Sequence, residues 1–174
     1  LGIQYRRSKL LQKAKEKNLE IAIIATGGKL LSLAIENKIP YIKLPNTGIQ
    51  PRSALGFSLG AFLKFIGEEE ELKKISMLAT ALNPTDSEKE GKILAEKMKN
   101  HVPIVYASNR NSALAYNWKI KLNETGKIPA FYNIFPELNH NEINGFAVKD
   151  SIKELCNKFY FIFLFVLFVY SCHL

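Results

Sequence analysis

The sequence is poor in cysteine. Its two, Cys156 and Cys172, allow at most one bridge and have no metal-binding pair spacing. That excludes a disulfide scaffold and the common zinc modules, and makes a reducing cytoplasm the default compartment. An apolar stretch of spanning length is also lacking. The longest run, residues 159–170 (FYFIFLFVLFVY), has 12 residues, or 14 with Ser171 and Cys172, against about 20 for a bilayer helix. Its phenylalanines and β-branched residues favour a strand or a non-native end over an anchor. Residues 1–18 contain no apolar h-region, so they do not read as a signal peptide. Glycine (10) and proline (7) are too sparse in 174 residues for a fibrous or low-complexity chain. What is present is ordinary for a globular protein, 47% hydrophobic and 23% charged.

The charge is unbalanced, with a net of +8. The first fifty residues hold nine basic and three acidic residues, and so six of the eight excess charges. Such a bias suits nucleic acid, a membrane surface or an anionic metabolite, and composition does not choose among them.

The pattern along the chain is alternating α/β. Residues 1–18 form a basic helix. The wholly apolar run 21–25 (IAIIA) reads as a strand buried on both faces. Thr26-Gly27-Gly28 and a helix over 29–37 follow, then a strand over 40–44 closed by Pro45-Asn46-Thr47-Gly48. Strand, glycine turn, helix and strand make a βαβ unit and a parallel sheet. Residues 53–66 read as an apolar helix, and the charges over 68–74 as a solvated helix face. Asn83-Pro84-Thr85-Asp86 marks a boundary. Thr85 and Glu88 have capping-box spacing and predict a helix to about residue 100. A buried strand over 103–107, a helix over 109–122 and a strand over 128–134 repeat the βα theme.

Three segments carry possible chemistry. In Ala25-Thr26-Gly27-Gly28-Lys29, the glycines let a ligand approach the backbone and the helix start offers N–H groups to an anion. Its spacing is neither a Walker A loop nor a GxGxxG fingerprint, and a plain strand-to-helix turn reads equally well. In Gln50-Pro51-Arg52-Ser53, Arg52 begins an apolar helix just beyond a strand, the edge where open α/β sheets bind ligands. Its permanent forked charge suits a phosphate or an enediolate. The competing reading is a surface arginine at a helix start. The third segment runs from Asn123-Glu124 through Glu137-Leu138-Asn139-His140-Asn141-Glu142. A carboxylate and a histidine on neighbouring elements can serve as an acid–base pair. The metal alternatives fail: Glu137-x-x-His140 is a single motif outside any bundle, and His140-x-Glu142 has no P-C-x-x-C after it. His101 reads as a surface residue.

These segments together resemble the bifunctional phosphoglucose/phosphomannose isomerases of the sugar isomerase (SIS) superfamily. The resemblance rests on TGGKL at 26–30, QPRSALG at 50–56, NPTDSEKEGKILAEKM at 83–98, VPIVYAS at 102–108 and WKIKLNETGKIPAFYNIFPELNHNEING at 118–145. The last is the most specific, because N-E-x-x-K-x-P-A-F followed by P-E-L-x-H-N-E is unusual outside the family. The likeness covers roughly residues 1–147. Three features depart from the family pattern. An S-x-S-G-N-T phosphate loop and a closing helix with an active-site lysine are missing, and Asn117 stands where arginine is usual.

The resemblance implies a flavodoxin-like parallel sheet flanked by helices, in two incomplete SIS domains. The chain would be an internal portion of an isomerase. Residues 1–66 would end the first domain, 67–85 form a helical linker, 86–158 begin the second and 159–174 form an apolar tail of unclear origin. It implies interconversion of glucose 6-phosphate, and of mannose 6-phosphate, with fructose 6-phosphate through a cis-enediol. Glu124 resembles the base at C1/C2, Arg52 the cation holding the developing oxyanion, and His140 the group that opens the ring. Thr26, Gly27 and Gly28 resemble substrate-binding positions. In the family that histidine reaches the partner subunit's site, which implies a homodimer. No metal, nucleotide, nucleic acid or membrane is implied. Two rivals remain at this point. One is a non-catalytic phosphosugar-binding module or inactive fragment, favoured by the missing loop and lysine. The other is a protein anchored by residues 159–172.

Overall fold

The apolar run before Thr26 becomes a short strand, β1 (Ile23–Ala25), which pairs in parallel with β2 (Tyr41–Lys43), Ile24 facing Ile42. Helix α1 (Gly2–Glu16) precedes β1, and α2 (Gly28–Glu36) makes the crossover between the strands. A 3-10 turn (Pro51–Ser53), α3 (Leu55–Ile66) and α4 (Glu69–Ala81) complete the first of two compact units, Leu1–Asn83 and Pro84–Leu174. The structure, a computed structural model, describes residues 2–147 and 149–165.

The core of the first unit is Ile23, Ala34 and Ile39, with Leu11, Ile21, Ala25 and Leu30 packed against it. Ala34, fully buried, has no side chain beyond Cβ and lets α2 lie close on the strands. Burial of residues 21–25 on both faces is not what is found: only Ile23 is buried, because a two-stranded sheet is packed mainly on one side. Residues 67–85, read as a helical linker, contain α4. Helix α4 packs on α3, and at their crossing a Cβ on Gly60 would stand 3.6 Å from a Leu72 methyl. The charges of α4 are solvated as expected, with Lys74–Glu71 at 2.6 Å and Lys73–Glu70 at 3.4 Å.

The second unit starts with α5 (Pro84–Met98). Thr85 therefore lies inside the first turn and not at a cap: Pro84, with φ preset and no N–H to lose, opens the helix instead. Strand β3 (Val102–Ser108) is central, with β4 (Phe131–Phe135) on one side and β5 (Phe159–Leu164) on the other, all parallel. A 3-10 turn (Asn109–Asn111) and α6 (Ser112–Glu124) connect β3 to β4. After β4 come a 3-10 turn (Glu137–Asn139), α7 (Glu142–Gly145), a 3-10 turn (Asp150–Ile152) and α8 (Lys153–Cys156).

Period-two alternation along β3 sends its side chains to two cores. Val105 and Ala107 face α6, where Ala115, Trp118 and Leu122 cover them. Ile104 and Tyr106 face the other way, against Leu138, Phe146, Phe159 and Phe161. Part of the apolar run read as a tail of unclear origin is thus a strand. Residues 159–164 pair with 102–107, and Phe159 and Phe161 complete a core. The remainder of that run, residues 166–170, lies outside the described residues, as do Cys172 and His173. Among the described residues no helix is long and apolar enough to cross a membrane.

Candidate functional site

Chemistry-bearing residues occur in each unit and are positioned by different devices. In the first unit, Thr26 follows β1, and Gly27 and Gly28 lead into α2. Gly28 has φ +75°, a left-handed conformation that glycine adopts without strain. Thr26, Gly27 and Gly28 are all exposed. Beyond the carboxyl ends of β1 and β2 lies a cleft of about 240 Å³. Thr26, Asn46, Thr47, Gly48, Phe57 and Ser58 are among the residues lining it. It combines an apolar wall with hydroxyl and amide groups, as small-molecule sites do. Thr26 is at the cleft, whereas Gly27 and Gly28 are not in its wall. Asn46, Thr47 and Ser58 are additions: the sequence shows Asn46 and Thr47 only as turn formers after β2, and nothing marks Ser58.

Arg52 does not begin α3. It sits, half-buried, on the separate 3-10 turn Pro51–Ser53, because Pro51 starts that turn and α3 begins only at Leu55. Its neighbours Pro51 and Ala54 line the cleft.

In the second unit, Glu124 is the last residue of α6 and is exposed. The Asn123 side chain donates to the carbonyls of Ile128 (2.9 Å) and Ala130 (3.3 Å). Thr125 N–H returns to the Lys121 carbonyl at 2.9 Å and Gly126 N–H to the same oxygen at 3.2 Å. A Cβ on Gly126 would lie 2.8 Å from the Leu122 carbonyl oxygen, so only glycine fits. This clamp ends the helix at Glu124. It also holds residues 128–130 in the turn, which is why β4 begins at Phe131 and not at 128.

His140 follows the turn Glu137–Asn139, after a cis Phe135–Pro136 bond. Its ring is exposed. Its N–H donates to the Glu137 carbonyl at 3.0 Å, and its own carbonyl accepts from Asn144 Nδ2 at 2.8 Å. Leu138, completely buried, anchors the turn on the Ile104/Tyr106 face of the sheet, while α6 covers the Val105/Ala107 face. Glu124 and His140 therefore leave elements on opposite faces of the sheet and are not joined into a pair within one unit.

A part-buried polar knot, which no motif in the sequence marks, lies on the second unit's sheet. Tyr106, 2% exposed, donates its hydroxyl to Glu142 Oε1 at 2.8 Å, and Asn133 Nδ2 donates to Oε2. Burial, reinforced by the hydrogen bond to Glu142 and its charge, holds the Tyr106 hydroxyl well above its ordinary value. His101, read as a surface residue, is half-buried. Its Nδ1 lies 2.8 Å from the Lys99 carbonyl and its ring is edge-on to Tyr160. Among the described residues no three His, Cys, Asp or Glu side chains gather as metal ligands would.

Parallel strands with helical crossovers in two successive units, and a cleft beyond the strand ends, define an α/β protein of SIS type. Residues 87–165 match the family described as the bacterial phospho-glucose isomerase C-terminal SIS domain, so the likeness runs past residue 147 and takes in β5. Over most of its length the chain is similar to the bifunctional phosphoglucose/phosphomannose isomerases. It is 30% identical to the bifunctional phosphoglucose/phosphomannose isomerase of Aquifex aeolicus over 154 residues, 88% of this chain and 47% of that protein. It is 35% identical to the protein of the same name from Caldicellulosiruptor bescii over 167 residues, again 88% of this chain and 48% of the relative. A D-glucosamine-6-phosphate 4-epimerase of Sulfolobus acidocaldarius is 30% identical over 141 residues, 79% of this chain and 45% of that protein. The chain spans about half the length of the curated relatives it matches. No solved structure matches it significantly.

Proposed function

We propose that this chain serves an aldose–ketose isomerase acting on hexose 6-phosphates, interconverting glucose 6-phosphate and mannose 6-phosphate with fructose 6-phosphate in the cytoplasm. The observation that carries the reading is the turn at residues 123–130, together with the names of the relatives. A hydrogen-bonded clamp and an obligatory glycine present one carboxylate, Glu124, exposed at a fixed helix end. A group that must reach a C–H bond needs that combination of access and rigidity.

In this reading Glu124 takes the proton from C2 of the open-chain aldose and returns it to C1, while a proton passes from O2 to O1. The intermediate is a cis-enediol. Arg52 holds the oxygen on which negative charge develops, a role suited to a permanent forked cation. Thr26, with Gly27 and Gly28, contacts the sugar phosphate, and Asn46, Thr47 and Ser58 extend that set around the cleft. His140 opens the ring: it takes the proton from O1, the C1–O5 bond breaks, and O5 is protonated. A neutral-range acid–base group suits this step. The placement of Glu124 and His140 on opposite faces supports drawing them from two copies of the chain, so the working unit is a homodimer. The proton transfers use side chains, with no metal or nucleotide.

The test is turnover of glucose 6-phosphate and mannose 6-phosphate, with binding followed separately by calorimetry. Isomerisation of both substrates supports the reading. Binding of the sugar phosphates without turnover would make the chain a phosphosugar-binding module instead.

A further inference from the structure

The isomerase reading leaves Glu142 without a task, yet two side chains of the sheet hold its carboxylate. Tyr106 and Asn133 are register partners on β3 and β4, so their side chains leave the same face of the sheet. Both donate to Glu142, Tyr106 Oη to Oε1 at 2.8 Å and Asn133 Nδ2 to Oε2. Neither donor can swing. Asn133 Oδ1 accepts the Ile134 N–H at 2.8 Å. The Tyr106 ring is wedged against Phe135, Phe161 and Phe163, with centroids 6.1, 5.6 and 5.6 Å away.

The carboxylate thus ties the start of α7 to the middle of the sheet. Two residues earlier stands His140, and two before that Leu138, fully buried against Ile104 and Tyr106. The segment is pinned on either side of His140, by an apolar anchor before it and a doubly bonded carboxylate after it. Between the pins the ring faces solvent while its backbone is fixed at both N–H and carbonyl.

We infer that Glu142 is a positioning residue for His140, acting through its bonds to Tyr106 and Asn133 to fix the backbone from which the ring reaches the sugar. The inference rests on the isomerase reading, in which His140 opens the ring. It assigns Glu142 no proton transfer. Hydrogen bonds to a carboxylate are stronger than neutral ones, and loss of the acceptor leaves the buried Tyr106 hydroxyl unsatisfied. Removing Glu142 therefore frees the carboxyl-side pin while Leu138 stays in place.

The experiment compares two substrates in the full chain. One is a hexose 6-phosphate, supplied as the ring. The other is an aldotetrose 4-phosphate, whose esterified O4 prevents ring closure, followed by solvent-deuterium exchange at C2. Glu142→Ala should lower kcat for the hexose by about 10- to 100-fold, the scale of a misplaced catalytic group. KM should change by less than about threefold, and exchange on the tetrose, which uses Glu124 and Arg52 but involves no ring opening, by less than about twofold. Glu142→Gln, which can still accept from Tyr106, should recover part of the loss. Tyr106→Phe, which keeps the ring packing, should lose roughly threefold to tenfold on the hexose alone. Amide exchange of residues 140–146 should accelerate in Glu142→Ala while that of β3 does not. Equal losses on both substrates, or unchanged exchange in 140–146, would overturn the positioning role and leave the isomerase reading standing. A wild-type chain inactive on both substrates would overturn that reading, and the positioning role with it.

Discussion

At the scale of single residues, geometry decides more than composition does. Gly126 is one of 10 glycines, and it is irreplaceable only because an added Cβ would meet the Leu122 carbonyl oxygen at 2.8 Å. Gly126→Ala should destabilise the protein by about 1–3 kcal/mol, the usual cost of forcing in a methylene, read as a lower urea midpoint. Asn123→Ala should cost a similar amount, about 1–3 kcal/mol, because it strips the Ile128 and Ala130 carbonyls of their donor. Tyr106 gives a pH test. Its folded-state proton is held above the ordinary value by burial and by Glu142, so between the two values the folded protein binds a proton that the unfolded chain has lost. Stability from this group is complete below about pH 10, the ordinary tyrosine value, and is lost as pH rises beyond it. Alkaline denaturation monitored by circular dichroism should show that loss, and Tyr106→Phe should flatten it. Thr26, Arg52, Glu124 and His140 are visible in the sequence because they sit in punctuated motifs between strands and helices. Asn123, Asn133 and Tyr106 are not, because their roles come from partners 5 to 36 residues away that only the folded register brings near.

At the scale of elements, β3 organises the second unit, with α6 on one face and the turn Glu137–Asn139 on the other. Leu138→Ala should cost about 2–5 kcal/mol, because a fully buried leucine leaves a cavity against the rigid Ile104/Tyr106 wall. Lys74→Ala on α4 should leave the urea midpoint essentially unchanged, since the Glu71 pair is exposed. Helices and parallel pairing were legible from apolar runs separated by glycine and proline. Two boundaries were not. A Thr-x-x-Glu spacing looks like a cap, but Pro84 starts α5 one residue earlier. The apolar run at 159–170 reads from composition as a non-native end more readily than as a strand, until β3 is seen to offer its free edge to residues 159–164.

At the scale of the whole molecule, the candidate residues are divided between the two units. The first offers a polar-rimmed cleft beyond its strand ends, and the second a carboxylate and a histidine on opposite faces of its sheet. The motifs made the family legible, but the opposed placement was not, because spacing along the chain carries no information about which face a turn covers. In the proposed reaction Glu124 is the base. The most direct test replaces Glu124 with Gln, which keeps the shape and removes the base, and measures isomerisation and sugar-phosphate affinity on the same folded protein. If Glu124 is the base, kcat should fall by about 10²–10⁴ with affinity nearly unchanged. Undiminished turnover by a folded Glu124→Gln protein would contradict it.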